Sequence, residues 1–142
     1  MFKLTDKPIN PAELASRFVD ETCGAFVEFT GRVRNTNEGQ AVKSLEYEVF
    51  GELAEKEGTK IIGEAMGKFQ ISKALCVHRI GHLTVGGIAV WVGVEAGHRG
   101  AAFEACRYII DETKSRVPIW KKEHYSGGRS EWVETIGPGP RN

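Results

Sequence analysis

The run Ile88-Ala-Val-Trp-Val-Gly-Val94 constrains this chain more than any other feature, because every position in it is apolar. It is the longest such run, and it falls far short of the ~20 residues that a membrane span needs. Gly86-Gly87 stands just before it and reads as a hairpin turn. Residues 88–95 therefore read as a strong buried strand, folded back on an extended piece at 82–85. Residues 71–80 read as extended too. Residues 25–34 alternate, with Ala25, Val27, Phe29 and Val33 facing one way and Phe26, Glu28, Thr30, Arg32 and Arg34 the other. Residues 42–50 read as a further strand, with Leu45, Tyr47 and Val49 on one face. Ile119-Trp120 and Glu131-Trp-Val133 read as short strands about a turn at Gly127-Gly128.

Three helices interrupt these strands. Asn10-Pro11-Ala12-Glu13 is a helix start, with Asn as cap, Pro in the first turn and Glu three residues after the cap. Leu14 and Phe18 share its face and Gly24 can end it. Leu53, Ile61, Ile62, Ala65, Met66 and Phe69 recur at helical spacing over about 51–68. Residues 101–116 form the third helix, with Phe103, Cys106, Ile109 and Ile110 turned inward, and Pro118 stops it. Helices interleaved with turn-linked strands point to an α+β fold. At 142 residues the chain is one domain, expected over 1–136, with 137–142 as a flexible tail.

Lys+Arg and Asp+Glu are both 19, so the formal net charge is zero. A global attraction to nucleic acid or to anionic lipid is excluded as the main theme, and charge must act through local clusters. The opening Met1-Phe-Lys-Leu-Thr-Asp6 has no apolar signal region. Cys23, Cys76 and Cys106 form no CxxC pair and read as reduced thiols of a cytoplasmic protein. His78, His82 and His124 have no metal-binding spacing, so neither a metal nor another cofactor is expected.

The cations gather at element ends. Arg32 and Arg34 stand where the first long strand runs into the polar loop 35–39. His98 and Arg99 stand at the junction between the strongest strand and the third helix, where backbone N–H groups and the helix dipole favour an anion. Lys114 lies in that helix's last turn, and Lys121 and Lys122 follow Pro118. A solvated helix end and two surface lysines fit the same residues, and most lysines are solvated. Glu123 either orients a lysine or is an ordinary surface carboxylate. From residues alone the reading ends at a cationic pocket for a small anionic ligand.

At these residues the sequence resembles a known family. Phe29-Thr-Gly-Arg-Val-Arg-Asn35, Leu45-Glu-Tyr-Glu48, His78-Arg-Ile-Gly81, Val92-Gly-Val94 followed by His98-Arg99, Ala102-Phe103-Glu104 and Pro118-Ile-Trp-Lys-Lys-Glu123 are similar to blocks of the MoaE family, the large catalytic subunit of molybdopterin synthase. The likeness runs from about residue 3 to 134. It implies an α/β-hammerhead type of α+β fold, with a mostly antiparallel sheet and about three helices. It also implies a homodimer with a small ubiquitin-like sulfur-carrier subunit at each end, making a heterotetramer. The carrier's C-terminal Gly-Gly, ending in a thiocarboxylate, would thread into the pocket. The activity implied is sulfur transfer to cyclic pyranopterin monophosphate, forming the molybdopterin dithiolene in molybdenum cofactor biosynthesis. Lys114 and Lys121 match the active-site lysines. Arg32, Val33 and Arg34 match the basic substrate-binding strand end, His98 and Arg99 the anion-binding helix start, and Lys122 and Glu123 the pocket segment. Lys114 is expected nearer the carrier's C-terminus, with Lys121 as the substrate-side acid or base. The alternatives are a non-catalytic dimeric module that binds a phosphorylated metabolite or oligonucleotide, and a cysteine-dependent sulfurtransferase.

Overall fold

The computed structural model describes residues 1–134, so the expected tail at 137–142 lies outside the described residues. In chain order the elements are β1 (Phe2–Thr5), α1 (Pro11–Ala15), β2 (Ala25–Arg32), β3 (Thr36–Asn37), β4 (Gln40–Val49), α2 (Gly51–Lys68), β5 (Ile71–Arg79), β6 (Gly81–Thr84), β7 (Ile88–Ala96), α3 (Arg99–Arg116), β8 (Ile119–Tyr125) and β9 (Ser130–Glu134). They form two sheets. The first has the order β1-β5-β7-β2, with β1 parallel to β5 and the other pairs antiparallel. The second has the order β3-β4-β8-β9, all antiparallel, and β6 also pairs with β4. The fold is α+β with three helices, as expected. No helix among the described residues is long and apolar enough to cross a membrane.

β7 is the spine. Val90, Val92, Val94 and Ala96 face a core shared with α2 and α3, while Trp91 faces Leu14, Leu75 and Val77 on the opposite side. Both faces are covered, so the strand can be apolar without alternation. Gly93 makes this packing possible, because a Cβ there would meet the Trp91 ring at 2.3 Å. The turn at Gly86-Gly87 forms as expected, but the strands it joins do not pair with each other. Both edges of β7 are taken by β5 and β2, and β6 pairs with β4 instead. Gly86, at φ +84°, is thus the point where the chain passes from one sheet to the other. Val33 holds it there: its N–H donates to the Gly87 carbonyl and its carbonyl accepts from the Gly86 N–H, both at 2.9 Å.

Four expectations need correction. α1 begins on its Asn10 cap, whose side chain accepts from the Glu13 N–H, but it ends at Ala15 rather than near Gly24. Asp20 takes the following segment into a turn, accepting from the backbone N–H and hydroxyl of Thr22. Phe103 is 61 % exposed, because the inward stripe of α3 is Ala102, Ala105, Cys106, Ile109, Ile110 and Thr113, and Phe103 lies about 90° from its centre. Leu53 and Met66 are exposed on α2 for the same reason, its inward face being Ala54, Gly58, Ile61, Ile62 and Ala65. β1 is an element that periodicity does not reveal.

Arg116 fixes the end of α3 against α2. Its guanidinium donates to Glu64 at 2.6 Å, Glu57 at 2.8 Å and Glu112 at 3.1 Å, and Tyr108 donates to Glu64 at 2.6 Å. On the other flank of α2, the Phe2 ring rests on Gly58, where an added Cβ would lie 2.2 Å from the ring. Gly58→Ala should therefore cost about 1–3 kcal/mol through overpacking, whereas Gly63→Ala, with nothing within 4 Å, should gain up to ~1 kcal/mol of helix propensity. Thermal unfolding of the two variants checks this, and equal shifts for both would contradict the packing of β1 on α2.

Candidate functional site

The passage between the sheets leaves a cavity of about 150 Å³. Its wall takes residues 31–34 from the end of β2, Thr36 and Asn37 from β3, and Val42, Leu45 and Tyr47 from β4. His78 comes from β5, Ala89 and Val90 from β7, Lys114 from α3, and Lys121 and Glu123 from β8. The register of β2 on β7 shifts between Gly31 and Arg32, a bulge that lets consecutive residues border one cavity. Arg32, Val33, Arg34, Lys114, Lys121 and Glu123 thus border one cavity.

Three expected residues stand elsewhere. β8 alternates, so Lys121, Glu123 and Tyr125 share one face and Lys122 the other. The Lys122 ammonium lies 5.5 Å from the centre of the Trp132 ring. His98 caps α3 and Arg99 opens it, both exposed. Lys114 is fifteen residues further on, about 22 Å at ~1.5 Å per residue. Within one chain His98 and Arg99 do not join the cavity. They stand beside a wider, open depression of about 620 Å³ lined by Thr22, Cys23, Lys68, Ser72 and Gly97. Asp20, Cys23 and Glu95 bring donor atoms within 4.8 Å of one another near that depression. The carboxylates there are already engaged, Asp20 by Thr22 and Ser72 and Glu95 by the Asp20 N–H.

Glu123 is the anionic centre of the cavity wall and is only 3 % exposed, so it is no ordinary surface carboxylate. Lys121 Nζ lies 3.2 Å from Oε1, while Tyr125 Oη and Asn37 Nδ2 donate to Oε2 at 2.7 and 2.8 Å. Burial is the largest single influence on its pKa and would raise it. The hydrogen bonds from Tyr125, Lys121 and Asn37 and the Lys121 charge together outweigh burial and hold it below the usual carboxylate range. Lys114 is treated differently. Desolvation of its ammonium end lowers its pKa, and the charges of Lys121 and Arg34 lower it further. Two neutral groups complete the wall. The Tyr47 ring meets the His78 imidazole edge-on, with centroids 4.9 Å apart. Tyr47 is pushed up to about 12, chiefly by burial and then by Glu123. Burial brings His78 down to about 4, with the Lys114 charge adding to it and the hydrogen bond at Arg79 opposing it. Asn37, Tyr47, His78 and Tyr125 were not singled out as site residues. Tyr47 and His78 stood in two of the family-like blocks, and Tyr47 on the inward face of β4, but nothing assigned either a role.

The chain matches the MoaE protein family over residues 4–116. It is 43 % identical over 130 residues to the molybdopterin synthase catalytic subunit of Thermoplasma volcanium, covering 92 % of this chain and 95 % of that one. Among solved structures, molybdopterin synthase from Staphylococcus aureus superimposes with a TM-score of 0.87 at 38 % identity, covering 93 % of this chain and 96 % of that one. A complex of subunit 1 and 2 of molybdopterin-converting factor from Helicobacter pylori shares the fold, with a TM-score of 0.78 at 20 % identity over 96 % of this chain and 93 % of that chain.

The electrostatics of the cavity are testable in the free protein. With desolvation, Lys121 and Arg34 all favouring the neutral amine, Lys114 should lose its proton below the ordinary 10.5 of lysine. Arg34→Ala removes one repelling charge, so the titration should move up towards 10.5 without reaching it, since desolvation and Lys121 remain. The pH profile of Lys114 acylation, followed by peptide mass spectrometry, reads this directly. An inflection that stays or falls would contradict the arrangement.

Proposed function

This chain belongs to the MoaE protein family, and from that premise we propose that it acts as the catalytic subunit of molybdopterin synthase, a sulfurtransferase of molybdenum cofactor biosynthesis. The observation that carries this reading is the convergence of Arg32, Arg34, Lys114 and Lys121, from three separate elements, on one small cavity with a single buried carboxylate. An anionic reactant is what such a wall suits. In this reading the thiocarboxylate of a small ubiquitin-like carrier enters the cavity, and cyclic pyranopterin monophosphate lies against the cationic rim.

The two lysines divide the work by their surroundings. Lys121, held 3.2 Å from Glu123, is placed to stabilise negative charge that develops on the acyl oxygen or on the substrate. Lys114, biased towards its neutral form, takes a proton, or, once the carrier's sulfur is bonded to the substrate as a thioester, attacks the acyl carbon so that the C–S bond breaks, the thiolate leaves on the substrate and water cleaves the amide formed. Sulfur arrives already on the carrier, so no cysteine is needed as a nucleophile. Burial pushes Cys76 up to about 12 and Cys106 up to about 11, which keeps both as thiols. The free cysteines accord with a reducing compartment, and we place the protein in the cytoplasm.

The reading includes a homodimer that carries a carrier subunit at each end. β7 lends no support to this, since its own chain covers it, but Phe103 and Trp132, 61 % and 50 % exposed, offer apolar surface for an interface. Light scattering at micromolar concentration should return the mass of a dimer, and a monomer with or without carrier would count against it.

Lys114→Ala and Lys121→Ala should each cut turnover by about 10²-fold or more in an assay with thiocarboxylated carrier and cyclic pyranopterin monophosphate. Carrier docking should persist, because its surface lies mostly outside the cavity. Replacing Cys23, Cys76 and Cys106 together by alanine should leave the chemistry in place and lower stability alone. Near-normal turnover in both lysine variants would sink the catalytic assignment. Ligand binding that is indifferent to the carrier would instead favour a binding module.

A further inference from the structure

The cavity wall is crowded with hydrogen-bond donors. Arg32 and Arg34 can only donate, Lys121 donates to Glu123, Lys114 accepts only as a free amine, and Glu123 already accepts from Lys121, Tyr125 and Asn37. His78 is of another kind. It is 8 % exposed, and its Nδ1 lies 2.7 Å from the Arg79 carbonyl oxygen, an atom that only accepts. The proton therefore sits on Nδ1, and Nε2 keeps a lone pair. Nε2 makes no hydrogen bond among the described residues. It is not sealed in either, since Arg79 Nε is the only fully enclosed side-chain polar atom without a partner among them. The open space that His78 borders is the cavity. Burial, with the nearby Lys114 charge, keeps the ring neutral at physiological pH, so the lone pair stays available. The Tyr47 hydroxyl beside it also has no partner among the described residues, but as a phenol it brings a proton to donate.

We propose that His78 is a specificity-determining residue whose Nε2 accepts a hydrogen bond from a ligand N–H. The cavity then selects an anionic end group with an N–H close by over an equally anionic group without one. Size narrows the choice further. The cavity measures about 150 Å³. That is below the ~300–1,000 Å³ of sites that enclose a whole small molecule. A narrow chain end fits, and a fused ring system with its phosphate does not. This inference rests on the reading of the chain as the partner of a thiocarboxylated carrier. On that reading the selected group is the carrier's last residue, whose amide N–H is two bonds from the terminal carbon. That carbon's anionic oxygen and sulfur face the cations while the N–H meets His78.

The test uses two semisynthetic thiocarboxylated carriers, one ending in Gly-Gly and one in Gly-sarcosine, where N–CH₃ replaces the final N–H. With the unaltered enzyme, the sarcosine form should react about 3- to 10-fold less efficiently at subsaturating carrier, the scale of one neutral hydrogen bond. In His78→Phe that penalty should shrink towards one, whereas Tyr47→Phe should keep it in full. This contrast separates the lone pair from the bulk of the added methyl. If His78→Phe does not fold, ¹⁵N spectra of the unaltered protein read the same contact. Nε2 should be unprotonated at neutral pH, should shift on adding the Gly-Gly carrier, and should stay put with the sarcosine carrier or with inorganic phosphate. An equal penalty in the unaltered and His78→Phe enzymes, a protonated Nε2, or an Nε2 resonance unmoved by the Gly-Gly carrier overturns this inference and leaves the proposed function standing. Absence of turnover by the unaltered enzyme with the Gly-Gly carrier overturns the proposed function itself.

Discussion

The two backbone hydrogen bonds between Val33 and the Gly86-Gly87 turn hold the architecture together at its narrowest point. β7 already has a strand on each edge, so the chain that precedes it has to leave the first sheet. Gly86 supplies the left-handed backbone that the departure requires, at φ +84°. Val33 supplies both the donor and the acceptor that stop the departing strand from drifting. The same clasp carries the end of β2 to the seam between the sheets, with Arg32 and Arg34 on either side of the buried Val33. α3 delivers Lys114 to that seam from one direction and β8 delivers Lys121 from the other. The cavity is what remains where the two sheets cannot both close.

Gathering cations in so small a space is unfavourable unless something offsets their repulsion. The offset is uneven. Lys121 has an ion pair with a buried carboxylate, whereas Lys114 has the repulsion of Lys121 and Arg34, with Asp111 acting more weakly in the opposite sense. One lysine is thereby held by a counter-ion and the other is biased towards a free amine, although the two side chains are chemically identical. Burial and one carbonyl contact similarly turn His78 into a neutral acceptor. Different protonation states in one cavity arise from placement alone.

Much of this was legible in the sequence. Arg32, Arg34, Lys114 and Lys121 stood out as cations at element ends, and the alternation of residues 25–34 placed the arginines on one side, but two surface lysines fitted the same residues until the family resemblance singled out Lys114 and Lys121. The strand from Ile88 was legible because continuous apolarity has few explanations. What stayed hidden had no local signature. Tyr47 and His78 lie on strands where an inward aromatic reads as core. Asn37 sits in a polar loop, and its tie to Glu123 spans 86 positions in sequence. β1 is four residues long and owes its existence to β5. The helix expected to reach Gly24 stops at Ala15, and Asp20 holds the chain in a turn before Gly24 is reached. His98 and Arg99 looked like neighbours of the pocket because they adjoin its strand in sequence, but fifteen positions of α3 separate Arg99 from Lys114.

The hairpin of β3 and β4 contributes one hydrogen bond to the buried carboxylate, Asn37 Nδ2 on Glu123. Together with Tyr125 it makes the ion pair expendable. A buried carboxylate stripped of its only counter-charge costs about 3–5 kcal/mol, which would normally forbid Lys121 from turning towards an incoming anion. Here Oε2 keeps two donors whatever the lysine does, each worth about 1.5–3 kcal/mol against a charged acceptor. Lys121 can therefore trade partners during a reaction cycle without leaving an orphaned charge behind. The cavity has, in effect, a parking place for its counter-ion, and the lysine is free to come and go.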